Sequence, residues 1–318
     1  MVEAAPRRVA DIGWQTSAPT DKMKLVLKQL RQTILDALPA RLRFALRYMA
    51  VHKRFSLLLR PRTFTEKNML RVAKDRRGLL RTCADKLAMR HYVEQKVGPQ
   101  YLPKILFQTQ NPASINSREL PERFVVKASH GSGMIRVIKQ FDPADKKRID
   151  QLIETCGAWL AIDYGKLSRE WAYVGIPRYI LIEEFIESDC LGNDGVPWDF
   201  KFFVFDGHCA MIEVVTGRYY KHRCTLFSRD WKQFDSDNGI PVSEEPLGRP
   251  ENLDALITLA ERVGEGIDFV RVDVYAGKIG PLVGEMTMTP GGGNEHYSNP
   301  KFDRFLGSQW KTASFRNA

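Results

Sequence analysis

The stretch DFKFFVF (199–205), followed by Asp-Gly and then by HCAMIEVVT (208–216), constrains this chain more than any other. Two runs rich in aromatic and β-branched residues, separated by a two-residue Asp-Gly turn, form a β-hairpin, because that turn matches the twist of antiparallel neighbours. The sign recurs twice: RFVVKAS turns through HGSG into MIRVIKQF, and DFVRVDVY turns through AGKIG into PLVGEMTM. Helical patterns over 145–162 and 251–265, the buried strand RYILIEEFIE and the polar loop SDCLGNDGVP lie between them. Hairpins separated by helices, with no repeats, predict an α+β fold.

The front of the chain is helical and basic. Residues 22–38 place Met23, Leu27, Leu30, Ile34 and Leu38 at helical spacing until Pro39 stops the pattern. RLRFALRYMAV (41–51) repeats the arrangement, TFTEKNMLRVAKDR offers Thr65 as an N-cap, and DKLAMRHYVEQKVG (85–98) ends on Gly98. Residues 1–100 carry 22 Lys and Arg against 8 Asp and Glu, whereas the remainder carries 26 against 30. Such a front is either a solvated helical surface or a docking surface for an anion. A nucleic acid is not the expected partner, because no nucleic-acid motif appears and the aromatic residues are not interleaved with the basic ones. A basic helix with an apolar stripe suits an anionic membrane surface or a lipid-linked substrate.

Bulk properties bound the rest. A chain of 318 residues at 43% hydrophobic content supports one large or two to three small domains. Five cysteines, an odd number without a CxxC pair, argue for reduced thiols rather than a disulfide frame or a zinc site. No apolar run approaches the ~18 residues of a membrane span, and the N-terminus lacks a signal-peptide core. The expectation is a cytoplasmic protein, peripheral to the inner face of the membrane.

Side chains alternate along strands, which exposes the candidate chemistry. Val270, Val272 and Val274 share a core face, leaving Arg271, Asp273 and Tyr275 on the other. In the partner strand Val283, Glu285, Thr287 and Thr289 share a face. If that face meets Asp273, two carboxylates converge and need a cation between them; oxygen ligands select a hard ion, Mg²⁺. The plainer alternative is an ion pair between Arg271 and an acid. Lys127 precedes SHGSG (129–133), where a Gly/Ser turn can cradle a polyphosphate, although a P-loop pattern is absent and a plain hairpin turn would read the same. Asp199 and Lys201 face away from Phe200 and Phe202, and a mid-strand lysine among four phenylalanines needs a partner or an anion. Glu183 and Glu184 end an apolar strand, and His130 is the one histidine in a candidate loop.

In chain order these pieces resemble the ATP-grasp superfamily, and the stretches PRTFTEKNMLRV, FVVKASHGSG, LIEEFIE, DFKFFVFDG, RVDVY and GEMTMTPGGG resemble its TupA-like branch. The resemblance implies two α+β subdomains gripping ATP behind a basic helical N-terminal region. The expected divisions are 1–60, basic helical region; 61–120, N-terminal subdomain; 121–188, lid with the Gly/Ser loop; and 189–318, C-terminal subdomain with the metal site. It implies that Lys86, Lys127 and Lys201 reach the ATP phosphates and that Ser129, His130, Gly131, Ser132 and Gly133 form the lid. Glu183, Glu184, Phe185 and Ile186 would meet the adenine, Glu184 or Asp199 the ribose, and Asp273 and Glu285 the Mg²⁺. Arg271 would steady the transferring group, and the glycines around Gly292 would offer N–H groups to an acceptor carboxylate or oxyanion. One departure stands out: family members often carry asparagine two residues after the metal glutamate, where this chain has Thr287, a weaker metal ligand.

The activity implied is an ATP-dependent carboxylate–amine ligase working through an acyl phosphate. It would join an amino acid or peptide to a sugar acid in cell-surface polysaccharide assembly. A kinase acting on a sugar hydroxyl and a non-catalytic anion-binding protein are the alternatives.

Overall fold

The computed structural model describes residues 38–311 except 55, 57, 193 and 219, so the helix expected over 22–38 lies almost wholly outside the described residues. The described chain begins with α1 (Ala40–His52), α2 (Phe64–Lys74), α3 (Gly78–Ala84) and α4 (Lys86–Val97). Helix α2 starts at Thr63 rather than Thr65. The Thr63 hydroxyl accepts from the Glu66 N–H while the Glu66 carboxylate accepts from the Thr63 N–H, a reciprocal cap that Thr65 cannot make. Thr65 instead donates its hydroxyl to Asp303, 2.7 Å away on the last helix.

Two antiparallel sheets follow. The smaller has strand order β1 (Ile105–Thr109), β4 (Ile180–Glu184), β2 (Phe124–Ala128), β3 (Ile135–Ile138), with α5 (Lys146–Ala161) and α6 (Tyr164–Ser168) between β3 and β4 in sequence. The larger runs β7 (Arg223–Phe227), β6 (His208–Thr216), β5 (Asp199–Phe205), β8 (Val270–Gly277), β9 (Gly280–Thr287). Helix α7 (Leu253–Gly264) joins β7 to β8, and α8 (Pro300–Gln309) follows β9. All three expected hairpins are present, each closed in antiparallel register. The described residues form two α+β halves, each built on an antiparallel sheet. Strand β1 comes from the 61–120 segment yet pairs with β4.

Each sheet has its own core. One face of the five-stranded sheet buries Phe200, Phe202, Ile212, Val272 and Val274 under α7, α3 and α4. The opposite face is divided. Its lower half buries Phe203, Phe205, Met211 and Phe269 against Phe64 of α2, Phe302 of α8 and Trp310. The rest of that face carries Asp199, Lys201, Glu213, Arg271 and Asp273. The small sheet packs Phe124, Val126, Ile180 and Ile182 against Leu152 and Cys156 of α5.

Simple alternation puts Val283 on the face of Glu285, and the structure does not. Asp273 pairs with Glu285 but Val274 pairs with Val283, so β9 carries one extra residue, Gly284, at a bulge. Val283 is thereby returned to the core. A glycine is needed at the bulge because a Cβ on Gly284 would lie 2.5 Å from the Tyr275 ring.

Candidate functional site

A cleft opens between the β2–β3 hairpin and the ionic half of the large sheet. One part is an open pocket whose walls include Lys127, Glu183, Glu184, Phe185, Ile186 and Asp199. A second part shares Lys127 and Asp199 and reaches Lys86, Ser132, Gly133, Asp273 and Glu285. Residues spread over two hundred positions thus meet in one cleft.

Its floor is set by register. Glu285 lies opposite Asp273, Asp273 opposite Lys201, and Lys201 opposite Glu213. Paired residues project from the same face, so four ionisable side chains form a line across β9, β8, β5 and β6. Lys201 Nζ stands 3.5 Å from both Asp199 Oδ2 and Asp273 Oδ2, and Arg218 reaches Asp199 at 3.2 Å. Arg271 forks onto both oxygens of Asp273 at 2.7 and 2.8 Å and donates to the Thr287 hydroxyl at 3.1 Å. Thr287 is thus engaged with Arg271. Burial pushes the Asp273 carboxyl up to about 6 even though Arg271 and Lys201 favour its charge. Burial also acts on Glu285, but Lys86, Arg271 and Lys201 outweigh it and hold that carboxyl below its usual range.

No hydrogen bond or ion pair with another described residue holds the Glu285 carboxylate. Its carboxylate opposite that of Asp273 makes an oxygen-only donor set that fits Mg²⁺. Among the described residues no group of three or more His, Cys, Asp or Glu forms a closed metal cage. An ion here would complete its shell with water and phosphate, as Mg²⁺ commonly does.

The roof comes from the small sheet and α4. Lys127 Nζ pairs with Glu183 at 2.6 Å, and Arg90 takes the other Glu183 oxygen at 3.1 Å. Lys86 donates to the Gly131 carbonyl at 2.6 Å, and burial lowers its pKa against the pull of Glu285. Ser132 and Gly133 face the cleft, but Ser129 and His130 serve the lid's own interior. Ser129 bonds to Pro177 and Tyr179, and His130 Nε2 meets the Trp159 carbonyl at 3.1 Å. Glu184 accepts the Lys104 N–H at 2.8 Å, and Phe185 lies 5.1 Å beneath the Arg123 guanidinium.

Beyond β9 the glycine run is held by side chains from the helical front. Arg71 donates to the Met288 carbonyl, Asn68 to that of Pro290 and Arg47 to that of Gly292, at 3.0, 2.8 and 2.8 Å. Gly291, Gly292 and Gly293 all adopt positive φ (57°, 59° and 84°), which residues with a Cβ avoid. The Gly292 N–H already donates to Thr289, and the Thr289 hydroxyl donates to Glu170 at 2.8 Å. Arg47, one of the basic residues of the expected docking surface, is therefore turned inward.

Sequence reasoning missed Arg47, Asn68, Arg71, Arg90, Glu170, Arg218, Glu213 and Glu295. Only Glu213 left a signal, a lone acid in the apolar strand HCAMIEVVT. Burial and the neighbouring Glu213 push Glu295 up to about 7. A carboxyl raised in the fold contributes stability that is full below its unfolded pKa, near 4.5, and is lost as pH rises through 7. Glu295→Gln is therefore expected to match the parent near pH 5 and to exceed it by roughly 1–2 kcal/mol at pH 8. Urea unfolding at the two pH values checks this, and an equal gap at both would show that Glu295 is ionised throughout.

A family model described as TupA-like ATPgrasp matches residues 66–311. No curated protein matches the chain. Among solved structures, D-alanine–D-alanine ligase from Bacillus anthracis is similar at 18% identity and TM-score 0.41, over 66% of this chain and 58% of that one. The ATP-grasp ligase PsnB complexed with minimal precursor is similar at 12% identity and TM-score 0.39, over 73% and 61%. A RimK domain protein from Sphaerobacter thermophilus stands at 14% identity and TM-score 0.40, over 74% and 70%. The chain spans about three fifths of the length of the first two.

Proposed function

Because the chain belongs to the TupA-like ATP-grasp family, we propose that it is an ATP-dependent carboxylate–amine ligase. The observation that carries this reading is the line Glu285–Asp273–Lys201–Glu213 lying below Lys86 and Lys127 in one cleft. ATP would lie with its base against Glu183–Ile186 and its ribose by Asp199 or Glu184. Its phosphates would meet Lys86, Lys127, Lys201 and the Ser132–Gly133 turn. Asp273 and Glu285 would hold Mg²⁺, which supplies charge neutralisation at the phosphates. A substrate carboxylate oxygen bonds to the γ-phosphorus and ADP leaves. The amine nitrogen then bonds to the acyl carbon, inorganic phosphate leaves, and the nitrogen loses a proton. Arg271, forked onto Asp273 in the structure, would steady the developing oxyanion, so no nucleophilic side chain is needed.

The acid is a sugar acid and the amine an amino acid or peptide, in cell-surface polysaccharide assembly; the family's TupA-like character supports this. An anionic membrane or lipid-linked substrate would meet the basic front, which includes residues outside those described. Among the described residues no helix is long and apolar enough to cross a membrane. Product analysis tests the reaction class. A ligase releases ADP and free phosphate in equal amounts, whereas a kinase releases ADP and keeps phosphate on the product.

Nucleotide affinity tests the roof. Lys127→Ala is expected to weaken ATP binding by about 1.5–3 kcal/mol, the scale of a hydrogen bond to a charged group. Calorimetry that shows unchanged affinity would make Lys127 only the partner of Glu183.

A further inference from the structure

Resting on the ligase reading, we infer that Glu213, Glu295 and Tyr297 form the subsite that receives the cationic amine substrate. Glu213 lies on the far side of Lys201 from Asp273 and Glu285, and its charge acts on both Glu295 and Tyr297. Glu213 shares the face of Lys201 through their pairing, and it is only 5% exposed. Glu295 stands beside the glycine run, where a Cβ on Gly291 would come within 3.2 Å of its Oε1.

Three observations point to a missing cation. Glu213 Oε2 and the Tyr297 hydroxyl are both fully buried and have no hydrogen-bond partner among the described residues. Tyr297 is 5% exposed, so neither atom can turn to bulk water. No ion pair reaches Glu213 or Glu295 among the described residues, because the nearby cations are engaged: Arg271 forks onto Asp273, and Lys201 sits between Asp199 and Asp273. Two neighbouring carboxylates without a cation are costly when buried. An ammonium group offers up to three donors, which matches two carboxylates and a phenol oxygen.

Position favours an amine over a metal ion. The subsite adjoins Lys201 and the glycine run, where the acyl group would be presented, and half-buried Glu295 leaves it an open side. An amine held there would stand on the opposite side of Lys201 from Asp273 and Glu285, next to the glycine run.

The test uses the full chain with Mg²⁺ and ADP at pH 8, titrated with glucosamine and alaninamide, two amines that lack a carboxylate. N-acetylglucosamine is the neutral control. The wild type is expected to bind both amines and not the control, and Glu213→Gln is expected to weaken amine binding at least tenfold. Glu295→Gln and Tyr297→Phe should weaken it in the same direction, and nucleotide affinity should hold in all three, which also shows that they fold. Equal amine affinity in the variants, or equal binding of the control, overturns the assignment. So does Mn²⁺ binding whose stoichiometry falls by one in Glu213→Gln, which would mark a metal site. Amine binding without any acyl phosphate formation would sink the ligase reading and leave the subsite standing; acyl phosphate formation with unselective amine binding would do the reverse.

Discussion

Arg71→Met is expected to destabilise the protein by about 3–5 kcal/mol, the cost of breaking a buried ion pair by removing one partner. Arg71 is 0% exposed and donates to the carbonyls of Phe269 and Met288. It also pairs with Asp268 at 2.5 Å and lies 4.2 Å over the Trp310 ring. Methionine matches the length of the stem but leaves Asp268 without that cation and two carbonyls without donors. Because Arg71 ties α2 to the strand that leads into the glycine run, the loss should loosen that run as well. Urea or thermal unfolding gives the number. A change below 1 kcal/mol would mean that Arg77, which also reaches Asp268 at 3.1 Å, carries the junction alone.

The second large effect falls on turnover. Asp273→Asn and Glu285→Gln should each lower kcat by about two decades, roughly 3 kcal/mol, because the charge that holds the divalent ion is removed while shape is kept. Glu285→Gln should remain folded, since no ion pair holds Glu285 among the described residues; Asp273→Asn also weakens the buried pairs with Arg271 and Lys201, so its stability is measured beside its rate. The Mg²⁺ concentration needed for half-maximal rate should rise in both. Rates within threefold of the parent, at unchanged Mg²⁺ dependence, would remove these carboxylates from the metal role.

What the sequence showed and what it hid follow from the range of the interactions. Hairpins are local, so DFKFFVF with its Asp-Gly turn and RVDVY with GEMTM were legible, and with them the facing of Asp273, Lys201 and Arg271. The bulge at Gly284 was not, because a one-residue insertion leaves the apolar pattern almost intact and shows only in the Asp273–Glu285 and Val274–Val283 pairing. The cap at Thr63 was misplaced by two residues because both candidates are threonines; Glu66 at the third position decides between them. Arg71, Asn68 and Arg47 gave no sign at all. Each reaches a carbonyl more than two hundred residues away, and a basic residue on an amphipathic helix looks the same whether it turns to water or to a loop. Glycines 291–293 were legible as unusual backbone, but their holders were not.

A carboxylate–amine ligase must form an acyl phosphate in this cleft, and hydroxylamine trapping tests that directly. The full chain would be incubated with ATP, Mg²⁺, hydroxylamine and a panel of uronic acids and amino acids. Hydroxamate is expected with at least one acid, in amounts equal to the ADP released, dependent on ATP, and lost in Asp273→Asn. ATP consumption that requires a panel compound but yields no hydroxamate, with phosphate retained on a hydroxyl, would contradict the account.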